Sequence, residues 1–311
     1  RIDAFADAPG HTVVASDLTA AYNSADYSTP GNAAKVAVVH RDVVFLRPDL
    51  VVVTDRVRTM GGTGAPRFVL HLPGRPGLDT AVVDAGTADD GRVHTDTPRF
   101  TFDNGTGGRL AFAALAPADA RLTAIGGPGH RYWVDGANRD GGAAGHEGAP
   151  AEPGAWRIES APRDDAPTPP DAGPRDHVLV HALTVTDTGR TAWPATLVAA
   201  TGDRAGPGPA HAIVVRAPTR TRVLVQSAAV LGDRIRFATV ALGAGAYGGA
   251  EVLAMHLVPN ADYTVSGASP QFTLRRVRTD AEGILHVGGA ADALVNSGGT
   301  MHVARCPPPP H

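Results

Sequence analysis

Residues 35 to 72 read KVAVVHRDVVFLRPDLVVVTDRVRTMGGTGAPRFVLHL. Apolar residues, mostly valine, run from Val36 to Leu46 around His40-Arg41-Asp42 and again from Leu50 to Val53. β-Branched runs of that length, parted only by Arg47-Pro48-Asp49, predict two long strands joined by a turn in which Pro48 fixes φ and Asp49 bonds its own backbone. Three successive valines, Val51, Val52 and Val53, place apolar side chains on both faces of the second strand. The hairpin is therefore expected inside a sheet that is covered on each side. Arg67 to Leu72 is expected to return as a third strand, completing a meander around which the rest of the chain packs.

On either side of this meander the pattern is one of short strands. A strand is expected around His11 to Ala15, followed by a polar surface loop, DLTAAYNSADYSTPGN (17–32). Further candidates lie near 80–83, 92–95, 99–102, 109–115, 121–125 and 131–134, each bounded by Gly, Asp or Pro. Two stretches dense in Gly, Pro and Asp, 136–155 and 160–176, read as long loops around one short strand, 156–159. Strand signals resume over 177–186, 196–200, 212–216, 222–226 and 235–241. No apolar pattern of period 3.6 accompanies them, so the chain reads as an all-β, large antiparallel β-sandwich with a smaller C-terminal β section. A soft boundary near residue 190 gives a main portion, 1–190, and a C-terminal portion, 191–311, that completes or caps it.

Composition narrows the function. With 311 residues the chain can bury a sizeable core. Gly (37) and Pro (26) make up about a fifth of it, short of the level that signals disorder. A net charge of -3 without a basic block makes nucleic acid and anionic membrane poor partners. Lys35 is the only lysine among 28 basic residues, a bias that matches the Ala-, Gly- and Pro-rich composition of a GC-rich genome better than selection for anion recognition. A single cysteine, Cys306, excludes an internal disulfide and a multi-cysteine metal site. No stretch approaches the ~20 apolar residues of a membrane span. The chain starts at Arg1 without a leader pattern, which reads as a processed product or a fragment. There is no G-x-S-x-G elbow, phosphate loop or dinucleotide fingerprint.

Four groups of residues, in order, resemble the β-sandwich domain of the heparinase II/III-like polysaccharide lyases. They are VVHRDVVFLRPDLVVVTDRV with RFVLHL (38–57, 67–72), LTAIGGPGHRYWVDGAN (122–138), GAWRIESAP with DHVLVHALTVTD (154–162, 176–187), and LVPNADYTVSG with TDAEGILHV (257–267, 279–287). The resemblance implies a supersandwich-like fold and an N-terminal α/α toroid, with an acidic polysaccharide held in the cleft between them. It implies β-elimination at a uronate, secretion or a periplasmic location, and a bacterial source. That reaction needs a carboxylate neutraliser, a base for the C5 proton and an acid for the leaving oxygen. The family's Asn-His and Tyr lie on the toroid. Its His-x-His and His-Asn metal motifs do not occur here, so no metal or other cofactor is expected in this chain, and the catalytic groups are expected largely outside it. The toroid, or another missing segment, is the expected partner. An unpaired sheet edge at the N-terminus is expected to hold that partner or to self-associate. The alternative is a non-catalytic carbohydrate-binding or structural sandwich.

GGPGHRYWVDGANRD is the candidate substrate-binding segment. Its glycines allow an exposed turn. His130, Arg131, Tyr132, Trp133, Asn138 and Arg139 then offer aromatic faces and guanidinium groups suited to charged sugars. The competing reading is that Tyr132 and Trp133 only close the sandwich edge. Tyr22, Tyr27 and Tyr132 are the candidate acid/base phenols. His71, between Leu70 and Leu72, is expected to be a buried, hydrogen-bonded structural histidine. His177 and His181 share a strand face about 13 Å apart, too far for a metal pair unless the strand is bulged.

Overall fold

The computed structural model describes residues 1–23, 34–87, 90–134, 136–138, 156–190, 195–202, 210–216, 220–230, 234–243, 249–267, 275–288, 294–295 and 299–307. Tyr27 and Arg139 lie outside these described residues. The first strands are β1 Ile2–Ala8, β2 His11–Asp17, β3 Val36–Leu46, β4 Leu50–Thr59, β5 Phe68–Leu72, β6 Gly77–Leu78 and β7 Val82–Gly86. Next come β8 Gly91–Thr95, β9 Arg99–Asp103, β10 Gly108–Ala116, β11 Ala120–Gly126, β12 Trp133–Val134, β13 Ala137–Asn138, β14 Trp156–Pro162 and β15 Arg175–Asp187. The remainder are β16 Ala195–Gly202, β17 Ala210–Arg216, β18 Arg220–Ser227, β19 Phe237–Gly243, β20 Gly249–Ala254, β21 Asp262–Gly267, β22 Arg275–Arg278, β23 Leu285–Val287, β24 Leu294–Val295 and β25 Gly299–Arg305. Among the described residues the only helix is α1, Thr19–Tyr22. The chain is all-β, as its short alternating runs imply.

Two compact units divide it. One comprises Arg1–Leu18, His40–Pro48 and Trp193–His311, the other Thr19–Val39 and Asp49–Ala192.

The second unit is a two-sheet sandwich. β4 pairs antiparallel with β15 from Leu50↔Thr184 to Thr59↔Arg175, and β10, β9 and β6 continue the sheet beyond β15. Along its other edge β4 meets the start of β3, where the Met60 N–H donates to the Lys35 carbonyl (2.9 Å). Val52, Val53 and Val57 are buried, and so are Thr54, Asp55 and Arg56 between them. Both faces of β4 are therefore covered, as the valine run predicts. The facing sheet has the order β5-β14-β11-β8-β7. Phe68 of β5 stacks on His181 of β15 (centroids 4.0 Å apart), and Phe112 of β10 stacks on Phe100 of β9 (4.8 Å). Leu122 and Ile158, both 0% exposed, line the same sandwich.

Two expectations fail here. Phe68–Leu72 is a strand, yet it does not extend a meander beside β4, because it pairs with β14 in the opposite sheet. β15 is thirteen residues long and takes the edge of β4 that a meander would have used. The Gly- and Pro-bearing connection 60–67 lets the chain cross over, so that Phe68 and Leu72 fill the space between the sheets. His71 is exposed rather than buried. Successive strand residues face opposite ways, so Leu70 and Leu72 point to the face that His71 does not share.

The first unit is built on ten strands in the order β22-β21-β25-β19-β16-β17-β18-β20-β23, with β24 beside β20. Among the described residues β18 and β20 run parallel, and the other neighbours along this order are antiparallel. Tyr263 is fully buried in its core, donating its hydroxyl to the Ile235 carbonyl (2.7 Å) and accepting from the Val258 N–H (3.0 Å). Burial raises the pKa of that phenol. β1, β2 and the later part of β3 belong to the same unit. β1, IDAFADA, is mostly exposed, yet it pairs with β2 through its backbone. Buried Asp42 of β3 meets His256 Nε2 at 3.3 Å, fastening these strands to the C-terminal part of the unit.

Ile158→Ala should therefore cost about 2–5 kcal/mol in denaturant unfolding, from lost transfer energy plus the cavity left behind. His71→Ala should stay within about 0.5 kcal/mol of the unaltered chain. A larger loss at His71 than at Ile158 would refute the outward assignment.

Candidate functional site

The turn after β11 is positioned by the five-stranded sheet. Gly127 stands at φ +82°, a conformation that L side chains rarely adopt, and a Cβ there would lie 2.9 Å from Asp90 Cα. Only glycine lets the chain leave β11 so close to the turn between β7 and β8. The His130 N–H then bonds the Gly127 carbonyl (3.0 Å), and the Trp133 N–H reaches the His130 carbonyl (3.4 Å). β12 and β13 close a small hairpin, Trp133↔Asn138 and Val134↔Ala137.

This folding brings five of the six candidate residues together. The His130 and Trp133 rings stack, with centroids 4.7 Å apart and planes 28° apart. Tyr132 is 47% exposed and Arg131 is exposed as well. No described residue bonds or pairs with the Arg131 guanidinium. Asn138 acts structurally, since its Oδ1 accepts the Tyr132 N–H (3.0 Å) and ties the two arms of the turn. Tyr22 lies on α1 and is 55% exposed.

Two arginines escape a reading of the sequence, one that holds the turn and one that braces the carboxylate beside it. Arg157 donates from Nη2 to the Trp133 carbonyl (2.5 Å) and from Nε to Glu159 Oε1 (2.7 Å). Arg67 donates from Nη1 to Glu159 Oε2 (3.2 Å) and from Nη2 to Asp165 Oδ2 (2.6 Å). Alternation in WRIES is the signal that could have found the first. Trp156, Ile158 and Ser160 are buried, so Arg157 and Glu159 face outward, where β14 lies between β5 and β11. On that outer face Arg157 sits opposite both His71 and Ile125. A guanidinium can serve a carbonyl and a carboxylate at once, which a lysine could not do in this planar arrangement.

The two strand histidines have separate partners. His177 Nε2 lies 3.1 Å from Thr59 Oγ1, and burial lowers its pKa. His181 is fully buried, with Nε2 3.0 Å from Ser160 Oγ. β15 keeps continuous register with β4 through both, and the bulge opposite His181 lies on β10 between Ala114 and Ala116. Among the described residues no three His, Cys, Asp or Glu side chains are grouped to hold a metal ion.

No family model matches this sequence, and no curated protein does. Among solved structures the chain is similar to the heparan sulfate lyase HepC from Pedobacter heparinus, at 11% identity and a TM-score of 0.38, over 69% of this chain and 26% of that one. It is also similar to the heparinase III BT4657 gene product, at 10% identity and a TM-score of 0.36, over 69% and 25%. The chain thus spans about a quarter of the length of these structures.

Arg157→Ala should leave the Trp133 carbonyl without its charged donor, at a cost of about 1.5–3 kcal/mol. Trp133 should then become more accessible to a neutral fluorescence quencher. Unaltered stability and quenching would show that the turn is held by other contacts.

Proposed function

We propose that this chain is the sandwich part of a polysaccharide lyase that acts on a uronate-containing acidic polymer. Its own contribution is to grip the polymer, while the groups that carry out β-elimination belong largely to another segment, of the α/α toroid type. The observation that carries this reading is the turn of residues 126–138, where exposed Arg131 and Tyr132 stand beside the stacked His130–Trp133 pair. Aromatic faces pack on the apolar faces of sugar rings, and a planar guanidinium matches a carboxylate or sulfate in bidentate fashion. The four sequence resemblances fall in lyase order and support the same substrate class. The rival reading, a non-catalytic binding module, uses the same turn and differs only in lacking a catalytic partner.

A secreted or periplasmic location accompanies this proposal. Among the described residues no helix is long and apolar enough to cross a membrane.

The test pairs binding with turnover. Arg131→Ala should weaken binding to heparan sulfate several-fold and flatten its salt dependence, because one screened ionic contact is lost. Tyr132→Ala should weaken binding with little change in salt dependence. A neutral glucan should bind poorly to every form, and equal affinity for neutral and acidic polymers would overturn the assignment. Unsaturated product, followed by absorbance, should require the chain together with its catalytic partner. Product formed by residues 1–311 alone would place the catalytic groups here, with Tyr22, Tyr27 and Tyr132 the first to substitute.

A further inference from the structure

In the first unit two imidazoles meet beside a buried carboxylate. His11 opens β2, Glu251 lies on β20 and His286 on β23. β20 and β23 are direct neighbours, with Leu253 opposite His286. The His11 and His286 rings lie 4.7 Å apart at 54°. His286 Nε2 is 3.1 Å from Glu251 Oε1, and Arg222 Nε is 3.9 Å from Glu251 Oε2. His11 and Glu251 are each 5% exposed. A Cβ on Gly10 would stand 3.3 Å from both Glu251 Oε1 and His286 Cε1, so the β1–β2 turn rests directly on the pair. Arg47 clasps that turn from its other side, through Nη1 to the Ala8 carbonyl (2.5 Å) and its own N–H to the Gly10 carbonyl (3.0 Å).

The charge arithmetic of this contact is uneven. Glu251 already faces His286 on one oxygen and Arg222 on the other. His11 Nδ1 is buried without a hydrogen-bond partner. The groups that face His11 are His286 from β23, Glu251 from β20, Arg47 from the turn after β3, and Asp280 from the segment before β23. A proton placed on His11 would sit in the interior beside a second imidazole and a guanidinium, with Glu251 already engaged by His286 and Arg222.

We propose that this contact is an acid-released latch: with His11 neutral the β1–β2 turn lies closed on β20 and β23, and protonation of His11 releases it. Burial first, then His286, lowers the His11 pKa below its ordinary value, against smaller opposing effects of Glu251 and Asp280. The closed form therefore binds fewer protons than the open one. Its stability is fully present above an ordinary histidine pKa of about 6.5 and is lost as pH falls from there towards the lowered value. Across that window the open population rises by up to about tenfold for each pH unit.

Hydrogen exchange on the full chain tests this, at pH 7.5 and 5.5 with intrinsic rates corrected for pH. The amides of residues 8–12 and 285–287 should lose protection several-fold at the lower pH, while those of β15 hold theirs. His11→Phe keeps a ring against His286 and removes the proton site, and its protection should not differ between the two pH values. Equal protection in the unaltered chain, or the same acid opening in His11→Phe, would overturn the latch. Should His11→Phe fail to fold, the His11 ring signal of the unaltered chain decides by NMR. A midpoint below that of an exposed histidine, coincident with the loss of protection, sustains the proposal; a midpoint at or above it refutes it.

Discussion

A strand buried on both faces has no water for its backbone, so each N–H and C=O must find a partner on a neighbouring strand. β4 is such a strand, and the unbroken ladder with β15 is what meets that demand. The rest of the second unit follows from it. With β15 on one side and the start of β3 on the other, no edge of β4 is left for the next segment of chain. Residues 60–67 therefore cross to the facing sheet, and Phe68 arrives against His181 and Phe112 in the space between the layers. The same crossing puts β14 beside β5, which places Arg157 where it can hold the aromatic turn.

Arginine is the recurrent device at the strand surfaces. Arg58 and Asp176 are register partners on β4 and β15 and bond twice, at 2.5 and 2.7 Å, while Arg109 and Asp103 do the same on β10 and β9, at 2.6 and 2.8 Å. In each pair the guanidinium holds the carboxyl below its ordinary pKa. These pairs are largely exposed and add little to stability. Their effect is on register, because a two-pronged contact is satisfied only when the strands align. Arg131 differs from these two in its setting: it stands on a turn, beside aromatic rings.

Much of the architecture is legible in the sequence because it depends on local alternation. The strands at 91–95, 99–103, 108–116 and 175–187 are near the positions where apolar and polar residues alternate between turn residues. Which strands lie side by side is not legible in the same way. The destination of Phe68–Leu72 depends on a competitor for β4 that lies more than a hundred residues further on. His71 misleads because its flanking leucines suggest apolar surroundings, although on a strand adjacent residues face away from one another. For the candidate site, residue types and glycine spacing identify the turn and its exposed Tyr132. Arg157 and Glu159 stay hidden because their role exists only once β14 is seated between β5 and β11. The stacking of His11 on His286 likewise brings together the two ends of the chain, and no local pattern could have shown it.

The first unit is discontinuous: residues 1–18 and 40–48 combine with 193–311, and residues 49–192 intervene. During synthesis the early pieces leave the ribosome long before the strands they belong with. At ordinary elongation rates that interval lasts on the order of ten seconds or more. Throughout it β1, β2 and the end of β3, with Val13, Val44 and Leu46 among their side chains, lack the sheet that will cover them. The second unit, complete once Ala192 has emerged, can condense in the meantime. Of these two units, the strands made first are thus covered last, and until then β1, β2 and the end of β3 stand open to chaperones and to mispairing.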